Sequence, residues 1–247
     1  MQRTLMALVV AVCASLAAGS AHAATIQVMA EGPNGELGFA GNLDESDGVF
    51  TELPNGLQSW VGSVVDDSGW EFSWDLVINP DPFVTGVVAV TNNTNSTGTF
   101  MFEVGTSVTD SFAAGSPMFG SSTISISDAN NSNSASLSAP AGGSVYEGRI
   151  NGIVQESLFD APYTLSPSFP PSTAGDTESF TGTTSTALNV GDTLSLKHTF
   201  VLSAGDSATG NSNFTVIPEP STLALAALLG LAGCVHRLRR RATEAAR

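Results

Sequence analysis

The chain has 247 residues and a formal net charge of −15, and 42% of its residues are hydrophobic. Six of its eight basic residues lie near the two ends, so residues 24–217 carry 21 acidic and two basic side chains, a formal charge of −19. A surface this acidic cannot neutralise phosphates, which excludes nucleic-acid binding, and it disfavours avid binding to anionic lipids. This central part, which we call the body, is long enough to bury one sizeable core.

The first 23 residues have the organisation of a secretory signal peptide. Arg3 supplies a positive charge, residues 5–18 form an apolar stretch, and Ala21 and Ala23 occupy the two small-residue positions of an A-x-A cleavage site. We therefore predict that the chain is exported and that the mature protein begins at Ala24.

Strand patterns dominate the body, which we predict to be a single domain spanning residues 24–217. The clearest alternation covers residues 70–78, where large apolar side chains and polar ones follow each other at a period of two. Other apolar or alternating runs lie at 83–90, 100–104, 124–126, 194–202 and 214–216. No amphipathic helix is predicted before Ser221. These patterns predict an all-β fold, an antiparallel β-sandwich that is jelly-roll-like.

Turn signals and polar stretches separate the strands. The dipeptides Asn34-Gly35, Asn55-Gly56 and Asn151-Gly152 are typical of tight turns, and the third is predicted to close a hairpin. Three stretches rich in Ser, Thr, Asn and Gly have few apolar residues to bury, so we predict loops or frayed strand edges there. These stretches are 91–98, 127–138 and 166–175.

Candidate catalytic residues are few. His198 is the only histidine of the body, and its place between Leu196 and Phe200 predicts an inward-facing core residue rather than a general base. No G-x-S-x-G elbow occurs, and both cysteines, Cys13 and Cys234, lie outside the body. The sequence therefore favours a non-enzymatic protein without a zinc site or internal disulfide, and we assign no catalytic or metal-ligating residue.

Three other features leave binding alternatives open. The acidic clusters at 44–47 and 66–67 favour solvated loops, and Ca²⁺ is the one cofactor that such oxygen-rich loops leave open. Trp70 and Trp74 share an apolar strand face and are expected in the core, whereas Trp60 follows a turn and is the better candidate for an exposed, sugar-stacking ring. Asn-x-Ser/Thr, which arises by chance in a chain of this composition, occurs at Asn92, Asn95, Asn130 and Asn213.

The C-terminal segment combines three elements in a fixed order. Pro218, Glu219 and Pro220 form an extended, exposed motif, because proline fixes φ and removes backbone donors. Residues 221–236 are predicted to form an apolar membrane helix of roughly 24 Å, short against a hydrocarbon core of about 30 Å. A cluster of arginines then serves as a cytoplasmic stop signal that places the body outside, formed by Arg237, Arg239, Arg240 and Arg241.

This order resembles the PEP-CTERM sorting signal of Gram-negative bacteria over residues 218–241, with 242–247 left as a short cytoplasmic tail. The resemblance implies a membrane partner, an exosortase that processes the chain near the motif, and a context of exopolysaccharide, biofilm and surface display. The family of the body is not identified by its residues.

The sequence thus predicts a protein exported across the inner membrane, tethered there as a precursor, and then placed on the cell surface or in the extracellular matrix. A structural or adhesive role, with exopolysaccharide as a further partner, is the leading hypothesis. A carbohydrate- or calcium-binding β-sandwich module is the alternative, and a secreted hydrolase ranks behind both.

Overall fold

A computed structural model describes residues 24–33, 37–80, 82–132, 134–168 and 172–217. The signal peptide and the sorting segment predicted from the sequence lie outside these residues. The described residues form β-strands in two antiparallel sheets, with short 3₁₀ turns at Glu45–Asp47 and Pro54–Gly56. This confirms the prediction of an all-β body, and the two sheets are consistent with a sandwich. Within the described part, no helix has the length and apolarity needed to cross a membrane.

Fifteen strands are described. In chain order they are β1 (Thr25–Glu31), β2 (Leu37–Leu43), β3 (Gly48–Glu52), β4 (Gln58–Val65), β5 (Trp70–Asn79), β6 (Phe83–Asn92), β7 (Gly98–Ser107), β8 (Pro117–Ser127), β9 (Leu137–Ser138), β10 (Ser144–Ile150), β11 (Ile153–Asp160), β12 (Thr164–Leu165), β13 (Thr173–Thr183), β14 (Thr193–Leu202) and β15 (Ser207–Val216). The first sheet has the order β11-β10-β14-β7-β1-β2, with β9 beside β14 and β12 beside β9. The second sheet has the order β13-β8-β15-β6-β5-β4-β3.

The pairing of the later strands is nested. β10 pairs with β11 as an innermost hairpin, β8 pairs with β13 around it, β7 pairs with β14, and β6 pairs with β15 outermost. Successive pairs alternate between the two sheets. The chain from β6 to β15 thus forms one long antiparallel ribbon, folded back on itself, that contributes strands to both sheets. The strands β1 and β2 extend the first sheet at its β7 side, and β3, β4 and β5 extend the second at its β6 side.

The core lies between the sheets and follows from the period-two alternation of side chains. The alternating apolar residues of the strongest predicted strand are buried on β5, as the alternation indicated, namely Trp70, Phe72, Trp74, Leu76 and Ile78. The rings of Trp70 and Phe72 meet Phe100 of the opposite sheet at centroid distances of 5.6 and 6.0 Å, in edge-on geometry. Such aromatic pairs contribute about 0.5–1.5 kcal/mol beyond their buried area. These contacts stabilise the packing of the two sheets against each other.

The hairpin predicted at Asn151-Gly152 is present. Asn151 and Gly152 have φ values of 51° and 75°, and Ile150 pairs directly with Ile153, so two residues close the turn. Positive φ at both central positions is the geometry whose twist matches that of antiparallel strands. The local sequence therefore sets the innermost turn of the nested ribbon.

Both termini of the body lie at one end of the two sheets, which we call the terminal end. Thr25 pairs with Gly105 near the end of β7, and Val216 pairs with Met118 at the start of β8. A hydrogen bond of 3.1 Å from the amide of Thr109 to the carbonyl of Pro80 joins the two sheets at this end.

The opposite end, which we call the loop end, is built from the segments 66–69, 93–97, 128–136 and 203–206. Backbone hydrogen bonds of 2.7 to 3.0 Å tie these segments together, among them those from Asn93 to Gly69 and from Gly205 to Asn92. Residues 93–97 and 128–132 of two low-complexity stretches are therefore loops, as predicted, whereas 173–175 of the third belong to β13. The loop end that these loops help to build is an interconnected structure rather than a set of frayed edges.

Candidate functional site

The sorting segment leaves the body directly from an interior strand. β15 lies between β6 and β8, and its last amides remain bonded: Val216 donates to the carbonyl of Pro82 at 3.3 Å and Ile217 to that of Pro117 at 2.8 Å. The predicted motif at 218–220 follows Ile217 with no intervening linker. The body's fold is therefore hydrogen-bonded up to the residue that precedes the motif.

The predicted sorting residues themselves lie outside the described residues, so their roles stay predictions. They are Pro218, Glu219, Pro220, Arg237, Arg239, Arg240, Arg241, Ala21 and Ala23. At the other end of the body, Ala24 is 2% exposed and leads straight into β1, an interior strand of the first sheet. Both predicted processing points thus border the terminal end of the body.

His198 is a core residue. It lies on β14 with 2% of its surface exposed, and its ring meets that of Tyr146 edge-on at 5.8 Å. Burial lowers the pKa of His198 to about 4, an effect only partly opposed by the backbone of Val145. No carboxylate among the described residues contributes to that pKa, so the charged, orienting partner of a catalytic triad is not assembled here.

Trp60, the better candidate for an exposed ring on the sequence, is not exposed. Trp60 is fully buried on β4, where its ring packs edge-on against Trp74 at 6.0 Å and against Phe50 at 6.4 Å. The turn that ends at Gly56 leaves enough chain for Trp60 to enter the strand on its inward-facing side, opposite Leu76. Trp70 and Trp74 are also buried, as expected, so none of the three tryptophans presents a ring to a ligand.

The two acidic clusters are turns. In the first, the carboxylate of Asp44 accepts the amide of Ser46 and that of Asp47 accepts the amide of Asp44, both at 2.8 Å. The hydrogen bonds from Ser46 lower the pKa of Asp44. In the second, Asp66 accepts the amide of Ser68 at 2.9 Å. Among the described residues, no three His, Cys, Asp or Glu side chains lie close enough to hold a metal ion.

A pair of acidic side chains that sequence reasoning missed lies beneath the loop end. Asp206 is fully buried in the turn between β14 and β15, and Asp128 is 5% exposed at the end of β8. Burial raises the pKa of Asp206, with the neighbouring Asp128 adding to the rise and the hydroxyl of Ser203, which donates to Asp206, opposing it. The two aspartates are far apart in sequence, so no local motif could have revealed the pair.

Asn92 anchors the same region. It is fully buried, and its amide nitrogen donates to the carbonyls of Ser96, Leu202 and Ser203 at 2.9, 3.2 and 3.0 Å. Its side-chain oxygen accepts the hydroxyl of Thr94 at 2.7 Å. One side chain thereby satisfies backbone groups from two separate loops, which makes it the central polar contact of the loop end.

A groove of about 490 Å³ crosses the outer face of the second sheet near the terminal end. Four neighbouring strands, β6, β15, β8 and β13, supply its lining. The residues are Phe83, Thr85, Phe119, Gly120, Ser121, Ser179, Phe180, Thr181, Asn213 and Thr215. Sequence reasoning missed this site because its four strands come from four separate parts of the chain.

Comparison with known proteins gives a family match at the C-terminus. Residues 216–241 match the family model described as the PEP-CTERM protein-sorting motif. No curated protein matches the chain. Among solved structures, the adhesin domain of Epf from Streptococcus pyogenes is similar at 13% identity and a TM-score of 0.25, over 72% of this chain and 61% of that domain. The chain therefore spans about three-fifths of the adhesin domain's length.

The matched segment begins at the last residue of β15, so the family match and the fold meet at one point. Such a motif is the recognition signal for processing by a membrane exosortase. The chain carries a PEP-CTERM protein-sorting motif at residues 216–241, which indicates an exported, membrane-anchored precursor that is processed for surface display.

Proposed function

We propose that this chain is a non-enzymatic surface or extracellular-matrix component with a jelly-roll body, delivered by an exosortase in an exopolysaccharide-producing cell. The observation that carries the proposal is the sorting motif at 216–241, attached directly to the last strand of the body. The nested pairing of β6 with β15, β7 with β14, β8 with β13, and β10 with β11 supports the jelly roll.

The chemistry of the body supports a non-enzymatic role. His198 is buried beside Tyr146 with its pKa lowered to about 4, so it is neutral and inaccessible at ordinary pH. The carboxylates of Asp44, Asp47 and Asp66 are engaged in their own turns. General acid–base catalysis needs a titratable group within reach of a substrate, and these residues do not offer one.

A carbohydrate-binding module is the second candidate, and the groove on the second sheet is the observation that favours it. Its volume falls within the ~300–1,000 Å³ typical of ligand sites. Calcium binding is a weaker variant of the same alternative. The buried pair Asp128 and Asp206 supplies two carboxylates, and Ca²⁺ takes six to eight oxygen ligands.

The decisive experiment for delivery compares the intact mass and cell fraction of the native protein with those of a variant in which Pro218, Glu219 and Pro220 are all alanine. We expect a wild-type species that begins at Ala24 and ends near residue 220, and an unprocessed, membrane-bound variant. A matched control replaces Pro170 and Pro171 by alanine, which removes two prolines from another part of the chain. Processing that persists in the motif variant, or fails equally in the control, would contradict the proposal.

A further inference from the structure

The outer face of the second sheet lacks charge over four of its strands, whereas Glu71 and Asp75 of the neighbouring strand β5 lie on the same face. On β6, β15, β8 and β13, the residues that point away from the core include no charged side chain, although the body has 21 acidic residues. The face is instead dominated by hydroxyl and amide groups. Its outward positions are the odd-numbered residues of the four strands, at 83–91 on β6, 117–127 on β8, 173–183 on β13 and 207–215 on β15.

The acidic residues of β13 do not interrupt this face. The carboxylate of Glu178 accepts the backbone amide of Phe159 at 2.7 Å, and that of Asp176 accepts the hydroxyl of Tyr163 at 3.3 Å. Both contacts point towards the first sheet. On the outward side, the hydroxyls of Thr177 and Thr123 lie 3.0 Å apart. The edge strand therefore places its charges on one side and its hydroxyls on the other.

Both basic residues of the body lie on the first sheet. Arg149 pairs with Glu147 at 2.5 Å and with Glu103 at 3.5 Å, and the register aligns Lys197 with both glutamates. The two basic residues of the body therefore lie on the same sheet, among carboxylates. A strongly cationic or anionic ligand would have no matching charge on the outer face of the four strands in the second sheet.

The groove gives that uncharged face a definite binding geometry. One row across the strands is Phe83, Thr215, Phe119 and Thr181, in direct register. The next row is Thr85, Asn213, Ser121 and Ser179. Phe119 is 40% exposed. An exposed aromatic ring, with the partly exposed ring of Phe83 in the same row and hydroxyl groups beside it, matches a sugar ring, which has an apolar face of C–H groups and a rim of hydroxyls.

Asn213 lies in the second row, beside Ser121. Its side-chain nitrogen donates to the hydroxyl of Ser121 at 2.6 Å, whereas its side-chain oxygen is closed to solvent. The polar groups that a ligand can reach are therefore the exposed hydroxyls of the two rows, such as those of Ser179 and Thr181.

We propose that the groove binds a short segment of a neutral, hydroxyl-rich polysaccharide. Phe119 and Phe83 stack on the apolar faces of sugar rings, and the hydroxyls of Ser121, Ser179 and Thr181 bond those of the sugar. The inference deepens the proposed function, because it names the matrix component that the displayed body would hold. It rests on that function only for its biological setting, since the groove belongs to the body alone.

The test uses the full chain, solubilised in detergent, with the neutral exopolysaccharide purified from the host as the probe and alginate as an anionic comparison. Affinity is measured by titration calorimetry for the wild type and for Phe119→Ala. The matched control is Val87→Ala, because Val87 is 37% exposed on the same face but outside the groove. We expect Phe119→Ala to weaken binding of the neutral polymer about tenfold, and Val87→Ala to change it less than about twofold.

Three results would overturn the proposal: no binding of the neutral polymer, equal losses in the two variants, or tighter binding of alginate. A wild type that is dimeric by light scattering, and that Phe119→Ala renders monomeric, would show instead that the face joins two copies of the chain. Since this assay needs no processing, its failure is distinct from a failure of the sorting experiment.

Discussion

Asp206 and Asp128 bring two acidic side chains together beneath the loop end, one at the turn before β15 and the other at the end of β8. Burial raises the pKa of Asp206, and the neighbouring carboxylate of Asp128 adds to that rise. We therefore expect the stability of the loop end to depend on pH.

Replacing Asp206 by Asn should reduce the pH dependence of the protein's stability. Because the folded-state pKa of Asp206 is raised, its stabilising contribution is fully present below the unfolded pKa of 3.8 and is lost as pH rises through the folded value. The difference in unfolding temperature between Asp206→Asn and wild type should therefore shift in favour of the variant as pH rises. Thermal unfolding across pH 3–7 measures this, with the exposed Asp67→Asn as the control.

His198 should produce the opposite trend. Its pKa is lowered from 6.5 to about 4 by burial, so its contribution is present above the unfolded pKa and is lost as pH falls through the folded one. The loss across this window should reach about 3 kcal/mol. Urea unfolding at pH 7, 5.5 and 4 should show a smaller decline for His198→Gln than for wild type, whatever the variant's overall stability. An equal decline in both proteins would contradict the assigned burial effect.

The buried position of Trp60 predicts a structural role. Trp60→Ala should lower the free energy of unfolding by about 3–5 kcal/mol, because it leaves a cavity beside Trp74 and Phe50. The matched control is Val49→Ala on the paired strand, since Val49 is 69% exposed. Urea denaturation distinguishes the two. A small effect at Trp60 would restore the exposed, sugar-stacking interpretation.

Asn92 and Asn95 lie in adjacent Asn-x-Ser/Thr sequences but should behave differently. Asn92 is fully buried and donates to three carbonyls, so Asn92→Ala should cost about 2–4 kcal/mol by leaving those groups unpaired. Asn95 is exposed, so Asn95→Ala should change stability by less than about 0.5 kcal/mol. Peptide mass spectrometry should find any glycan at Asn95 and none at Asn92, and a glycan on Asn92 would refute the packing described here.

Local patterns in the sequence predict the parts of this fold that local physics determines. The alternation over 70–78 marks β5 because one face of that strand is fully buried, and Asn151-Gly152 marks a hairpin because both residues tolerate positive φ. The strand Thr173–Thr183 was missed, since it is an exposed edge with no alternating apolar residues. Edge strands of this kind are held by their neighbour's backbone rather than by their own side chains.

The groove could not be predicted from the sequence, because it depends on which distant strands pair with each other. The row from Phe83 through Thr215 and Phe119 to Thr181 exists only because the nested pairing puts strands from distant parts of the chain side by side. Trp60 was misplaced for a related reason, because its proximity to a turn says nothing of which face of β4 it occupies. The sorting motif, in contrast, is contiguous and could be recognised directly.

Both termini of the body lie at its terminal end, and this placement affects how the body would be anchored to a membrane and released by cleavage. Between Ile217 and the predicted start of the membrane helix at Ser221, a fully extended chain would span at most about 14 Å, so we expect a tethered body to stand close to the bilayer with its loop end outermost. Cutting the chain after Ile217 removes no strand, and the hydrogen bonds of β15 stay in place. Detachment can thus proceed without refolding, and the particle set free has the same shape as the one that was anchored.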